Sequence, residues 1–243
     1  MSSDIDESLD PGWAGLVREK FDTEHYNQAE YNWETGRYVD GVPTNIAHRK
    51  YICKHDGGWY WKYPAHEIPV RYDGMETVQD LTQYITTHHW HDPSVNPRDY
   101  TELLLKRYEE NDGTDTMART YLASQYLSNG DLDTALRYCE EEIAYDNPDK
   151  LMHALGYLLK GIALFHKGDR DGAEKCYMEA IPIEPRYRDS YVMLCTLYLE
   201  EGKVDMARDV ARTALERTSN LYRMSLTDCW RKGNILERVS EMV

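Results

Sequence analysis

The amino-acid sequence predicts an α+β first part, residues 1–96, followed by an all-α helical-repeat part, residues 97–243. Three observations lead there. The second half returns three times to one arrangement: a small residue, a large one three positions later, a glycine, then an alanine. The stretch from Tyr31 to Tyr72 instead mixes short β-prone runs with Asp-Gly and Asp-Gly-Gly turn signals. The 41% hydrophobic and 29% charged shares are those of a globular chain, and 243 residues give room for one large or two small domains.

From Asp10 to Glu30 the residues Trp13, Leu16, Val17 and Phe21 recur at three-to-four spacing, which predicts a helix with Pro11 in its first turn. Asp40-Gly41 and Asp56-Gly57-Gly58 tolerate positive φ and predict hairpin turns. The strands around them are expected near Arg37–Val39, Ala47–Lys54, Trp59–Tyr63 and Glu67–Tyr72. A short helix or loop at Thr77–Gln79 then leads to a strand over Leu81–Thr87. Pro97 to Glu110 reads as a helix with Tyr100, Leu103, Leu104 and Tyr108 on one face.

Beyond that helix Ala123, Tyr126, Gly130 and Ala135 align with Gly161, Leu164, Gly168 and Ala173, then with Cys195, Tyr198, Gly202 and Ala207, at offsets of 38 and 34 residues. Ala180 and Pro185 complete the middle unit, and Ala214 supplies the matching small residue of the third. This is the pattern of tetratricopeptide repeats. Small residues let antiparallel helices cross closely, and each glycine ends a first helix in the left-handed conformation. The turns are Asn129-Gly130-Asp131, Lys167-Gly168-Asp169 and Glu201-Gly202-Lys203, and Ser225–Met242 is expected to cap the stack.

A net charge of −15 argues against a nucleic-acid partner, because that binding rests on Lys and Arg neutralising phosphates. No apolar run approaches the roughly 20 residues that span a bilayer. Cys53, Cys139, Cys176, Cys195 and Cys229 lack paired metal-type spacing. Their odd number, with no signal peptide, implies reduced thiols and a cytoplasmic protein.

Three clusters carry chemistry. Asp4-Ile5-Asp6-Glu7 places two carboxylates two residues apart, on one side of a strand. At ~6 Å and an effective dielectric near ~20 they repel by about 3 kcal/mol, which a divalent cation relieves. Pro64-Ala65-His66-Glu67 follows an aromatic run, and His88-His89-Trp90-His91-Asp92 would put His89 and His91 on one strand face, where either imidazole could complete a metal shell. Tyr51, Trp59, Tyr60, Trp61 and Tyr63 suit cross-strand packing, and Trp61 suits a sugar face.

The order of these segments, with Pro11-Gly12-Trp13, Arg49-Lys50-Tyr51 and the run Tyr60 to Glu67 ahead of the repeats, resembles GT-A-fold, family-two glycosyltransferases that carry helical repeats. The resemblance implies that residues 1–96 are the back half of a GT-A catalytic domain whose nucleotide-binding half is missing. It implies sugar transfer from a nucleotide-sugar donor, with Mn²⁺ or Mg²⁺ held by Asp6, Asp4 and His91. Glu67 would be the base that takes the acceptor proton, with Asp56 and Asp92 as rivals, while His66, Trp61 and His89 would touch donor or acceptor. The repeats would bind a protein or glycan acceptor. The alternative is a non-catalytic repeat scaffold for protein interaction.

Overall fold

The computed structural model describes residues 7–39, 42–62, 68–89, 99–146, 149–218 and 235–242. Two units divide the chain, Met1–Pro97 and Arg98–Val243.

In the first unit β1 (Glu7–Leu9) precedes α1 (Trp13–Lys20), then β2 (Gln28–Val39), β3 (Val42–Cys53), β4 (Trp59–Lys62), β5 (Ile68–Arg71), β6 (Val78–Asp80) and β7 (Thr86–His89). One mixed sheet runs β1-β7-β2-β3, with β6 also on β2, while β4 and β5 form a separate antiparallel ribbon. The long strand β2 is antiparallel to β3 and parallel to β6 and β7. Ala29, Tyr31, Ile52, Leu81 and Ile85 are the buried core, with Leu9, Val17, Phe21 and Tyr51 packed against it.

Several elements differ from the sequence expectation. The helix expected to reach Glu30 ends at Lys20, and Phe21 is extended. The Asp22 carboxylate accepts from the N–H groups of Glu24 (3.0 Å) and His25 (3.4 Å), an Asx turn that competes with helix. The Asp22 N–H donates to the Gln79 side chain at 2.9 Å. The strand expected only at Arg37–Val39 is twelve residues long, because its first half finds partners on both sides. The strand expected over Leu81–Thr87 is interrupted: Asp80 accepts from Thr82, and the Leu81 carbonyl accepts from the N–H groups of Tyr84 and Ile85. That turn buries both Leu81 and Ile85.

The second unit is helical: α2 (Thr101–Glu110), α3 (Thr116–Ser128), α4 (Leu132–Ala144), α5 (Lys150–His166), α6 (Arg170–Ile183), α7 (Arg188–Glu200), α8 (Val204–Arg217) and α9 (Ile235–Ser240). Hairpins α3–α4, α5–α6 and α7–α8 stack in order, with α2 against α3 and α9 against α8. The three hairpin turns share one geometry. Gly130, Gly168 and Gly202 have φ of 82°, 85° and 72°. The next residue's N–H donates back to the carbonyl of Tyr126 (2.9 Å), Leu164 (2.9 Å) or Tyr198 (2.8 Å), closing a Schellman motif. Asp131 and Asp169 then cap the following helix by accepting from Thr134 and Gly172, whereas Lys203 at the third turn offers no such cap.

The longer first offset has a local origin. Helices α3 and α7 have 13 residues and α5 has 17, all ending two residues before their glycine. The insertion is therefore one added turn at the start of α5, close to the 3.6 residues of an α-helical turn. Helix α5 also packs closely against α6. A Cβ on Gly161 would lie 2.5 Å from the ring of fully buried Tyr177 and 3.2 Å from the Cys176 Cβ.

Gly161→Ala should therefore destabilise the repeat unit by about 1–3 kcal/mol, as overpacking does. Urea denaturation followed by far-UV circular dichroism reads this, and an unchanged midpoint would contradict the packing. Removing a cap with Asp131→Ala or Asp169→Ala should cost about 1 kcal/mol, and Lys203→Ala much less. Equal losses at all three turns would show that the aspartate side chains are not what stabilises those helix starts.

Candidate functional site

The residues nominated from sequence fall mostly outside the description. Asp4, Asp6, His66, Glu67 and His91 all lie outside the described residues, as does the rival Asp92. His89 sits on β7 with its backbone opposite Glu7. Trp61 is on β4 and 52% exposed, its ring edge against Tyr51 at 5.5 Å. The other rival, Asp56, is engaged in structure: it accepts from the Gly58 N–H at 2.9 Å and from Arg71 at 2.9 Å. Among the described residues no group of three His, Cys, Asp or Glu side chains could hold a metal ion.

What the sheet does bring together is a different trio. Parallel pairing sets Glu34 of β2 beside His88 of β7, and β1 delivers Asp10 just beyond its end. The His88 ring donates to Glu34 at 2.7 Å through Nδ1 and reaches Asp10 at 3.0 Å through Nε2. Burial works against the charged imidazolium, but the two carboxylates outweigh it and raise the pKa above its ordinary 6.5. No short-range sequence signal marks this contact, since 54 residues separate His88 from Glu34.

The aromatic set is knitted by cations. The Arg49 guanidinium lies 3.6 Å from the Trp33 ring centroid and 5.0 Å from that of Tyr51. Arg71 clamps the ribbon, donating to both Asp73 oxygens at 2.8 and 2.6 Å as well as to Asp56, over the Trp59 ring. That hydrogen bonding from Arg71 holds the Asp73 carboxyl down at about 2. These contacts stiffen a two-stranded ribbon that is marginal by itself.

In the repeat unit the notable charge is buried. Glu142 stands where the other hairpins carry Ala180 and Ala214, and it is fully buried. It accepts from Arg119 at 2.8 Å and from Thr116 at 2.6 Å, while Arg119 also donates to the Gly113 carbonyl. The larger side chain is accommodated by Gly156 of α5, whose Cβ would lie 3.1 Å from the Glu142 Cγ. Next to it Arg107 donates two bonds to Asp115, tying α2 to the start of α3. The described cysteines here, Cys139, Cys176 and Cys195, are buried packing residues: burial pushes the Cys139 thiol up to about 12, far from a reactive thiolate.

Each hairpin also presents one apolar side chain three residues before its turn glycine: Leu127, Phe165 and Leu199, all half-buried. Exposed Ser128, His166 and Glu200 follow them. No described helix is long and apolar enough to cross a membrane.

No protein-family model matches the chain, and no curated protein matches it. Solved structures do. One MamA protein superposes with a TM-score of 0.39 at 20% identity, over 48% of this chain and 61% of that one. The Pseudomonas aeruginosa PilF structure gives 0.45 at 11% identity, over 58% of this chain and 60% of its own. TTC0263, a thermophilic TPR protein of Thermus thermophilus, gives 0.42 at 20% identity, over 57% and 75%. At such scores and identities nothing of those proteins' roles transfers.

These findings correct the glycosyltransferase expectation. The similar solved structures include a TPR protein, and none of those named is a glycosyltransferase. The GT-A, Asp-x-Asp, nucleotide-sugar and manganese parts of that expectation fall with it. The resemblance rested on short segments in a familiar order, each common in an acidic, Tyr- and His-containing chain.

Two measurements check the described electrostatics. The His88 contribution is complete below the ordinary imidazole pKa and is lost as pH rises through the higher folded value. The first unit should therefore lose stability as pH rises above about 6.5, the ordinary imidazole value. Tryptophan fluorescence during urea denaturation reports that unit, which holds five of the six tryptophans. A His88→Gln variant with the same pH dependence would refute the assignment. In the repeat unit, Glu142→Ala should cost about 3–5 kcal/mol by stranding Arg119, and Arg119→Leu added to it should recover much of that loss. A double variant no more stable than the single one would show that the loss is cavity formation instead.

Proposed function

We propose that this chain is a non-catalytic scaffold whose helical repeats dock another protein. The observation that carries the reading is the row Leu127, Phe165 and Leu199, one residue from each stacked hairpin at the same register, edged by exposed polar side chains. The turns do not require these residues to be apolar, because their hydrogen bonds are made by backbone alone. An apolar strip with a polar rim is how protein interfaces are built. A stack of repeats extends such a strip over several helices. Helices α2 and α9 cover the first and last hairpins, so the lateral faces of the stack remain for a partner.

A displayed peptide library panned against the full chain tests this. Enriched peptides should bind the parent in calorimetry, and Phe165→Ser with Leu199→Ser should weaken them at least about tenfold, or ~1.4 kcal/mol. The variant should keep its helical circular dichroism and melt cooperatively. If no peptide binds the parent, or if binders are indifferent to both substitutions, the docking reading is wrong.

A further inference from the structure

We draw no further inference here: the strongest candidate, the outward face of the β4–β5 ribbon where Tyr72 stacks on Tyr60 and Ile68 is exposed, is an unpartnered apolar face, and nothing in the structure shows what covers it.

Discussion

The second unit depends on how closely its helices approach, as they do at Gly161, where one additional carbon would enter the Tyr177 ring. A contact with no side chain on one side fixes the distance between α5 and α6 by backbone sterics. The counterparts of Gly161 in the neighbouring hairpins are also small, Ala123 and Cys195, and on the second helices Ala135, Ala173 and Ala207 are all buried at one register. Large residues then fill the space that the small ones leave, Tyr138, Tyr177 and Leu197 among them. Interiors pack at crystal-like density, so small and large positions must alternate in matched pairs. The glycine turns serve the same demand, because a left-handed residue lets each hairpin reverse over a short connection.

Against that regular background the first hairpin's Glu142 is a deliberate irregularity. Burying a charge is costly unless it is paired and hydrogen-bonded, and here Arg119 and Thr116 supply both. Such a pair adds less stability than a well-packed apolar substitute would. Its effect is on register. Within the hairpin, a slip of α4 along α3 would leave Glu142 without Arg119, and against the next hairpin Gly156 is the complementary adjustment that receives the Glu142 side chain. Repeats that were identical could pair in several ways; the charged first hairpin fits in one.

How much of this was legible in the sequence varies with the range of the forces. The three turns could be read because a glycine at positive φ is a local necessity there. The unequal offsets of 38 and 34 residues were visible, but not that the difference is one turn at the start of α5, because the aligned residues Gly161 and Leu164 lie toward the end of that helix. In the first unit the apolar spacing after Asp10 was correctly helical, yet the Asx turn at Asp22 stopped it early. The length of β2 was hidden because its stability comes from β3, β6 and β7, partners distant in the chain. The candidate site was least legible. Asp-x-Asp, His-Glu and clustered histidines were read through a family likeness, and the one histidine of that cluster whose contacts are described, His88, joins carboxylates that no motif connects to it.

The described polar chemistry of the first unit is consistently inward-looking. His88 uses both ring nitrogens on Glu34 and Asp10. Arg71 divides its donors between Asp56 and Asp73, and Arg49 lies against two aromatic rings. Each arrangement fastens one strand or turn to another, in a unit whose described sheet has only a small apolar core to hold it. The repeat unit works the other way. Charges pair between its helices, as Lys160 does with Glu140 and Arg170 with Glu200, while its apolar side chains recur at one partly open register. The docking proposed for that register would need no reactive group, only hairpins held close enough together by contacts such as that of Gly161 with Tyr177.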